Sequence, residues 1–91
     1  MKIPENKTLQ ELFAWRFAKT PDSVAHKFLD RETTYKDLNI YSNQIANGLI
    51  NLGCKSDTRI AYYGKNSDYF FECIIGTLKS NTVAVGVNWR L

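Results

Sequence analysis

Cysteine and histidine are scarce in this sequence. The 91 residues include two cysteines, Cys54 and Cys73, and one histidine, His26, and these are not spaced as ligands of one metal ion. This pattern argues against a zinc site. Because the polar N-terminal residues do not form a secretory signal, we expect both cysteines to be free thiols in a reducing compartment, the cytoplasm.

Long apolar runs and concentrated charge are also missing. No apolar run approaches the roughly 20 residues of a membrane span, so we expect no membrane-spanning segment. The 12 lysines and arginines outnumber the 9 acidic residues, but they are scattered rather than gathered in the basic stripe typical of nucleic-acid binding. With 44% hydrophobic and 23% charged residues, the composition predicts one small folded domain with a thin core and no nucleic-acid partner.

The sequence contains no glycine-rich phosphate-binding loop. Its five glycines are well separated and form neither a dinucleotide-binding fingerprint nor a P-loop. The turn at residues 63–67 lies between a predicted strand and a predicted helix, which is where a βαβ unit binds anions. An ordinary turn with Ser67 as the helix N-cap explains this segment better.

The remaining polar candidates do not form a catalytic arrangement. His26 has no serine, cysteine or carboxylate nearby in sequence that would complete a triad. Asp68 and Glu72 could pair for acid–base chemistry, but a polar helix face explains them better. We therefore predict no catalytic, cofactor-binding or metal-binding residue within the chain.

A group of aromatic residues surrounds the predicted turn at 63–67. It could line an acyl pocket, although core packing is the favoured role. Its members are Tyr62, Tyr63, Tyr69, Phe70 and Phe71.

The first third of the chain predicts a helix followed by a small hairpin. Thr8 and Glu11 have the spacing of a capping box, and the apolar stripe that follows consists of Leu9, Leu12, Phe13 and Phe17. The Thr-Pro pair at 20–21 ends the helix. Residues 24–29 and 32–34 are predicted strands, joined by a turn at 30–31.

A second helix is predicted from Thr34, which can act as its N-cap with Asp37 three residues later. Gly53 stands where a left-handed residue would end this helix. One face carries regularly spaced apolar residues, namely Leu38, Tyr41, Ile45, Leu49 and Leu52.

The last third predicts a right-handed βαβ unit. A strand at 59–63 precedes a helix capped by Ser67, and Asn81 is a plausible left-handed stop. The apolar run at 83–87 suits a strand that is buried on both faces. The inward face of the helix would contain Phe70 or Phe71 with Ile74, Ile75 and Leu78.

Two glycines lie inside predicted helices. Gly48 and Gly76 each cost about 1 kcal/mol relative to alanine there. Glycines at such positions often permit the close approach of a neighbouring element. We therefore expect both helices to press tightly on a sheet.

Four stretches in order resemble the beginning of the AMP-forming adenylate synthetase superfamily, which includes acyl-CoA synthetases, peptide-synthetase adenylation domains and luciferases. They are Thr-Leu-Gln-Glu-Leu-Phe at 8–13 with Thr-Pro-Asp-Ser-Val-Ala at 20–25, Thr-Thr-Tyr-Lys-Asp-Leu at 33–38, Gly-Cys-Lys-Ser-Asp-Thr-Arg-Ile-Ala at 53–61, and Leu-Lys-Ser-Asn-Thr-Val-Ala-Val-Gly-Val-Asn at 78–88. The resemblance covers residues 8–91. It departs from the family where Ser80 and Asn81 replace alanine and glycine, and where Gly86 replaces a frequent proline.

The resemblance implies that residues 1–91 form the N-terminal part of a large α/β AMP-binding domain. The implied reaction joins a carboxylic acid to AMP from ATP with Mg²⁺, and then transfers the acyl group to the thiol of CoA. The family's phosphate loop, ribose-binding aspartate and catalytic lysine have no counterpart here. We therefore expect the 91 residues alone to be inactive, with the remainder of the chain as their partner.

The last four residues bear on the substrate branch. Asn88-Trp89-Arg90-Leu91 resembles fatty acyl-CoA synthetases, whereas amino-acid-activating domains more often have aspartate and proline here. An adenylation domain of a peptide synthetase and a standalone α/β binding module are the alternatives. Arg90 could lie near a nucleotide or form a structural ion pair. The edge of the strand at 83–87 is expected to promote self-association.

Overall fold

The computed structural model describes residues 3–5, 7–63 and 67–87, and it contains helices, an antiparallel hairpin and a parallel strand pair. This is the mixed α/β class that the sequence predicts. The elements in chain order are α1 (Leu9–Lys19), β1 (Val24–Phe28), β2 (Arg31–Thr34), α2 (Tyr35–Asn51), β3 (Arg59–Tyr63), α3 (Asp68–Lys79) and β4 (Val83–Val87).

Helix α1 begins at the predicted capping box. The Glu11 amide donates to Thr8 Oγ1 at 3.1 Å, and the Thr8 amide donates to Glu11 Oε1 at 3.1 Å. Two amides that have no partner within the helix are thereby satisfied. Phe17 is the residue of α1 that is buried, and it packs with Leu38 and Ile75 in the core.

The hairpin turns one residue earlier than predicted. Leu29, not Arg31, lies in the turn, with a left-handed φ of 57° and a largely exposed side chain. Arg31 instead pairs with Phe28 and begins β2. Leucine rarely adopts this conformation, so the residue pattern did not indicate the shift.

Helix α2 has the predicted caps but a different buried face. Thr34 Oγ1 accepts from the Asp37 amide, and Gly53 has the expected positive φ of 87°. Leu38 is buried as predicted, whereas Tyr41 and Leu52 are 43% and 82% exposed. The other buried positions are Ser42 and Ala46, which follow Leu38 at intervals of one turn.

Small side chains occupy this face of α2 because α3 packs directly against it. A Cβ atom on Gly76 would lie 2.5 Å from Ile45 Cγ2 and 3.3 Å from the Ser42 carbonyl oxygen. Gly76 therefore permits a close approach, but to another helix rather than to a sheet. The same expectation for Gly48 is wrong, because a Cβ atom there would meet nothing within 4 Å.

Lys79 links the C-terminal end of α3 to α2. Its Nζ donates to Asn39 Oδ1 at 2.6 Å, Ser42 Oγ at 2.8 Å and Asn43 Oδ1 at 2.7 Å. The same ammonium lies 4.9 Å from the centre of the Phe17 ring. Burial lowers the pKa of Lys79, because it removes water from the charged form.

Strands β3 and β4 pair in parallel, with Arg59 opposite Val83, and α3 connects them. The predicted βαβ unit is therefore present, and Asn81 has the expected left-handed φ of 58°. The prediction that β4 is buried on both faces is wrong, since Val83 and Val85 are 44% and 39% exposed. Within the described residues β4 has β3 as its one neighbouring strand, which leaves much of it uncovered.

None of the described helices combines the length and hydropathy that a membrane crossing needs.

The two helical glycines form a matched test of helix packing. We expect Gly76→Ala to lower the free energy of unfolding by about 1–3 kcal/mol, because the new methyl group overlaps Ile45. Gly48→Ala should raise it by about 0.5–1 kcal/mol, because the space is open and alanine favours the helix. Urea unfolding followed by circular dichroism measures both changes. Equal changes in the free energy of unfolding for the two variants would contradict the close contact between Gly76 and Ile45.

The exposed edge of β4 predicts association at high protein concentration. Val85→Lys should lower the associated fraction in sedimentation experiments, because a charged side chain discourages pairing between strand edges. Leu52→Lys is the control, since Leu52 is also exposed but lies at the end of a helix. If both variants reduce association equally, general hydrophobicity rather than the strand edge is responsible.

Candidate functional site

The predicted anion-binding position at the start of α3 carries a negative charge of its own. Residues 64–66 of this turn lie outside the described residues. Ser67 is at the N-cap, but its side chain makes no capping hydrogen bond, contrary to expectation. Asp68 follows in the first turn and is only 5% exposed. Its carboxylate already complements the positive end of the helix dipole, which disfavours a phosphate there.

Arg31 ties the hairpin to this end of α3. Its Nη2 donates to Asp68 Oδ1 at 2.8 Å, and this hydrogen bond raises the pKa of the Arg31 guanidinium. The guanidinium also lies over the rings of Phe28 and Tyr69, 5.3 and 5.0 Å from their centres. Arg31 reaches these partners because it belongs to β2 rather than to the turn.

Glu72 lies one turn further along α3 and is 7% exposed. Burial raises the pKa of its carboxyl group, and the nearby charge of Asp68 raises it further, whereas Arg31 opposes the shift. Asp68 and Glu72 lie on the polar face predicted for α3, but both residues are buried, and Asp68 forms an ion pair with Arg31 of the hairpin.

A cleft of about 400 Å³ opens between the hairpin, α2 and α3 at this point. Periodicity within α3 could not reveal it, because five of its eight lining residues belong to β2 and α2. Its lining residues are Arg31, Glu32, Thr33, Asp37, Tyr41, Asp68, Tyr69 and Glu72.

A second and larger cavity, of about 600 Å³, lies between the three helices. Lys79, Asn39 and Asn43 form its polar side, and Phe13 and Phe17 contribute to its apolar side. The ammonium of Lys79 is already engaged by the hydrogen bonds to α2 described above. The polar groups therefore serve the contact between α2 and α3.

His26 packs as an aromatic ring. Its centre lies 5.5 Å from the centre of the Phe71 ring. The Nε2 atom is buried and has no hydrogen-bond partner in the described part of the chain. No described serine, cysteine or carboxylate contacts this nitrogen, so the structure brings no triad together here.

The predicted aromatic cluster divides into packed and exposed members. The ring centres of Tyr62 and Phe70 lie 5.2 Å apart. Both residues line an apolar cavity of about 160 Å³ between α3 and the β3–β4 pair. Ligand pockets typically have volumes of about 300–1,000 Å³, so core packing explains this pair better. Tyr63, Tyr69 and Phe71 are at least half exposed.

The two cysteines are free thiols. Burial raises the pKa of Cys73, and the charge of Glu72 adds to this effect. Cys73 therefore remains a neutral thiol at physiological pH and is a poor nucleophile. Arg90, for which two roles are considered above, lies outside the described residues.

The described residues contain no group of three or more histidine, cysteine, aspartate or glutamate side chains that could hold a metal ion. The acidic cleft has aspartate and glutamate side chains on its walls, but they are not gathered around one point in this way.

Comparisons with known proteins give a consistent result. The family model described as "AMP-binding enzyme" matches residues 13–91. The fatty acid–[acyl-carrier-protein] ligase ScoC of Streptomyces coeruleorubidus is 38% identical over 97% of this chain, and bacitracin synthase 2 of Bacillus licheniformis is 44% identical over 85%. This chain spans 17% and 3% of the lengths of these two relatives.

A solved structure described as Mycobacterium tuberculosis fatty acyl CoA synthetase has the same fold. The TM-score is 0.80 and the sequence identity 29%, over 90% of this chain and 17% of that one. A family model that covers most of the residues, a relative aligned along nearly the whole chain and a superimposable fold agree. The chain therefore belongs to the AMP-binding enzyme family.

Proposed function

We propose that this chain is part of an ATP-dependent enzyme that activates a carboxylic acid as an acyl-adenylate. The observation that carries the proposal is the match to the AMP-binding enzyme family over residues 13–91. In this reaction a carboxylate oxygen attacks the α-phosphate of ATP, and pyrophosphate leaves. A thiol sulfur then attacks the acyl carbon, forms a thioester and releases AMP.

The first candidate for the complete enzyme is an acyl-CoA synthetase that uses a fatty acid and acts in the cytoplasm. The Asn-Trp-Arg-Leu segment at 88–91 supports this branch. The likeness to a fatty acyl CoA synthetase of known structure also supports it. The relative named as a ligase of fatty acid and acyl carrier protein supports the fatty acid but raises carrier protein as another thiol acceptor.

The second candidate is an adenylation domain that activates an amino acid. It is supported by the 44% identity to bacitracin synthase 2, which exceeds the 38% identity to the fatty acid ligase, although over a shorter part of this chain. The two candidates share the adenylation step. They differ in the carboxylic acid and in the thiol that receives the acyl group.

We place the site for ATP and Mg²⁺ outside these 91 residues, because the family's phosphate loop, ribose-binding aspartate and catalytic lysine have no counterpart in the sequence. The described residues provide no group of three or more candidate metal ligands, and the start of α3 carries the buried Asp68 where a phosphate would need positive charge. Mg²⁺ and basic groups neutralise the charge that develops during phosphoryl transfer. We therefore assign the nucleotide site to the rest of the enzyme, and the 91 residues to the scaffold.

Pyrophosphate release by the complete protein tests the proposed reaction. With ATP and Mg²⁺, we expect release to depend on the added carboxylic acid, and to be fastest with fatty acids among a panel that also contains the amino acids. Thioester formation with CoA or with a carrier protein is then measured separately. Rapid release with one amino acid would select the second candidate, and no acid-dependent release at all would contradict the adenylation reaction.

Calorimetric titration of ATP and Mg²⁺ into the 91-residue chain tests where the nucleotide binds. We expect no measurable heat of binding, because the sequence contains no counterpart of the family's phosphate loop, ribose-binding aspartate or catalytic lysine. The complete protein serves as the positive control. Saturable heat with the short chain would place a nucleotide site within these residues and contradict the assignment.

A further inference from the structure

The cavity between the three helices is large enough to hold a small organic molecule. Its volume of about 600 Å³ lies within the range of about 300–1,000 Å³ that is typical of ligand pockets. On α1 it is bordered by Ala14 and Ala18, which lie one helical turn apart. Their small side chains leave this space open.

Lys79 gives the cavity a positive charge that no acid compensates. It is the one charged residue among the described residues that line the cavity. It forms no ion pair with a described acid, and its side-chain acceptors in Asn39, Ser42 and Asn43 are all neutral. Neutral acceptors replace the water that burial removes, but they leave the charge itself in place. An anion in the cavity would therefore be attracted to Lys79.

The contact between α2 and α3 uses only the oxygen of each asparagine side chain. An ammonium group has no acceptor, so it must face Oδ1 of Asn39 and Oδ1 of Asn43, which lie 2.6 and 2.7 Å from Lys79 Nζ. The Nδ2 groups of the two asparagines donate to no described residue. Because both residues line the cavity, these NH₂ groups can donate to an anion there.

The lining favours a carboxylate over a phosphate. A carboxylate has a single negative charge, which matches the single charge of Lys79, and its two oxygens can accept from two NH₂ groups. A phosphate monoester carries about −1.5 to −2 at neutral pH and would retain excess negative charge away from water. The ring centres of Phe13 and Phe17 lie 5.9 Å apart, and these rings give the same cavity an apolar wall. This wall suits an apolar group attached to the carboxylate.

We propose that this cavity binds a small organic carboxylate with an apolar body. Lys79 supplies the opposite charge, and Asn39 and Asn43 supply the hydrogen-bond donors. The inference rests on the three helices and not on the proposed adenylation reaction. Absence of acid-dependent pyrophosphate release would therefore leave it standing.

Nuclear magnetic resonance of the ¹⁵N-labelled 91-residue chain tests the site with three probes at constant pH and ionic strength. The ligand 3-phenylpropionate has both features, 3-phenylpropionamide keeps the shape without the charge, and acetate keeps the charge without the apolar body. We expect saturable shifts of the Ala14, Asn43 and Lys79 amides with 3-phenylpropionate. The other two probes should bind at least about tenfold more weakly, because each lacks one of the two interactions.

Asn43→Asp separates ligand binding from folding. The aspartate keeps an oxygen for the Lys79 ammonium, so the contact between the helices is retained. It also removes an NH₂ donor and adds a negative charge, so the affinity for 3-phenylpropionate should fall about tenfold. Gln44→Glu is the matched control, since it makes the same change of charge at the next, exposed residue of α2, which is not among the described lining residues. This control should bind like the original chain.

Ala14→Leu tests the cavity without changing any charge. Leucine favours a helix nearly as well as alanine does, and position 14 is exposed, so the fold should be retained. Binding should weaken because the larger side chain takes up space in the cavity. The proposal would be overturned by absence of saturable shifts with 3-phenylpropionate, by equal affinity for its amide, by unchanged affinity in Asn43→Asp, or by shifts confined to the apolar cavity beside Tyr62 and Phe70.

Discussion

The close packing of α2 against α3 determines how the rest of the chain is arranged. The helices approach because Gly76 has no side chain where Ile45 and the Ser42 carbonyl lie. That approach brings the Lys79 ammonium within hydrogen-bonding distance of Asn39, Ser42 and Asn43. It also buries Ile75 in the hydrophobic core. The cost of burying the lysine is offset by these acceptors and by the Phe17 ring.

Local features of the fold could be predicted well from the sequence. The caps at Thr8 and Thr34 and the left-handed residues Gly53 and Asn81 depend on a few neighbouring residues, and all four occur as expected. The elements themselves follow from hydrophobic periodicity. The turn at Leu29 was missed because its conformation is one that leucine rarely adopts.

Features that depend on contacts between distant residues were harder to predict. The buried face of α2 contains Ser42 because Lys79, far along the chain, donates to it, and an apolar pattern cannot indicate such a position. The acidic cleft likewise combines β2, α2 and α3, so Asp68 and Glu72 resembled an ordinary polar helix face when α3 was considered alone. Family membership, by contrast, was accessible because its motifs are local and ordered.

The parallel pairing of β3 with β4 also has a consequence for the order of folding. The hairpin and α2 join residues that are near in sequence, but Arg59 meets Val83 only after all of α3 has been traversed. Closing such a loop costs chain entropy before any strand contact is gained, and this slows the step. We therefore expect the hairpin and α2 to become structured earlier than the β3–β4 pair when the chain folds.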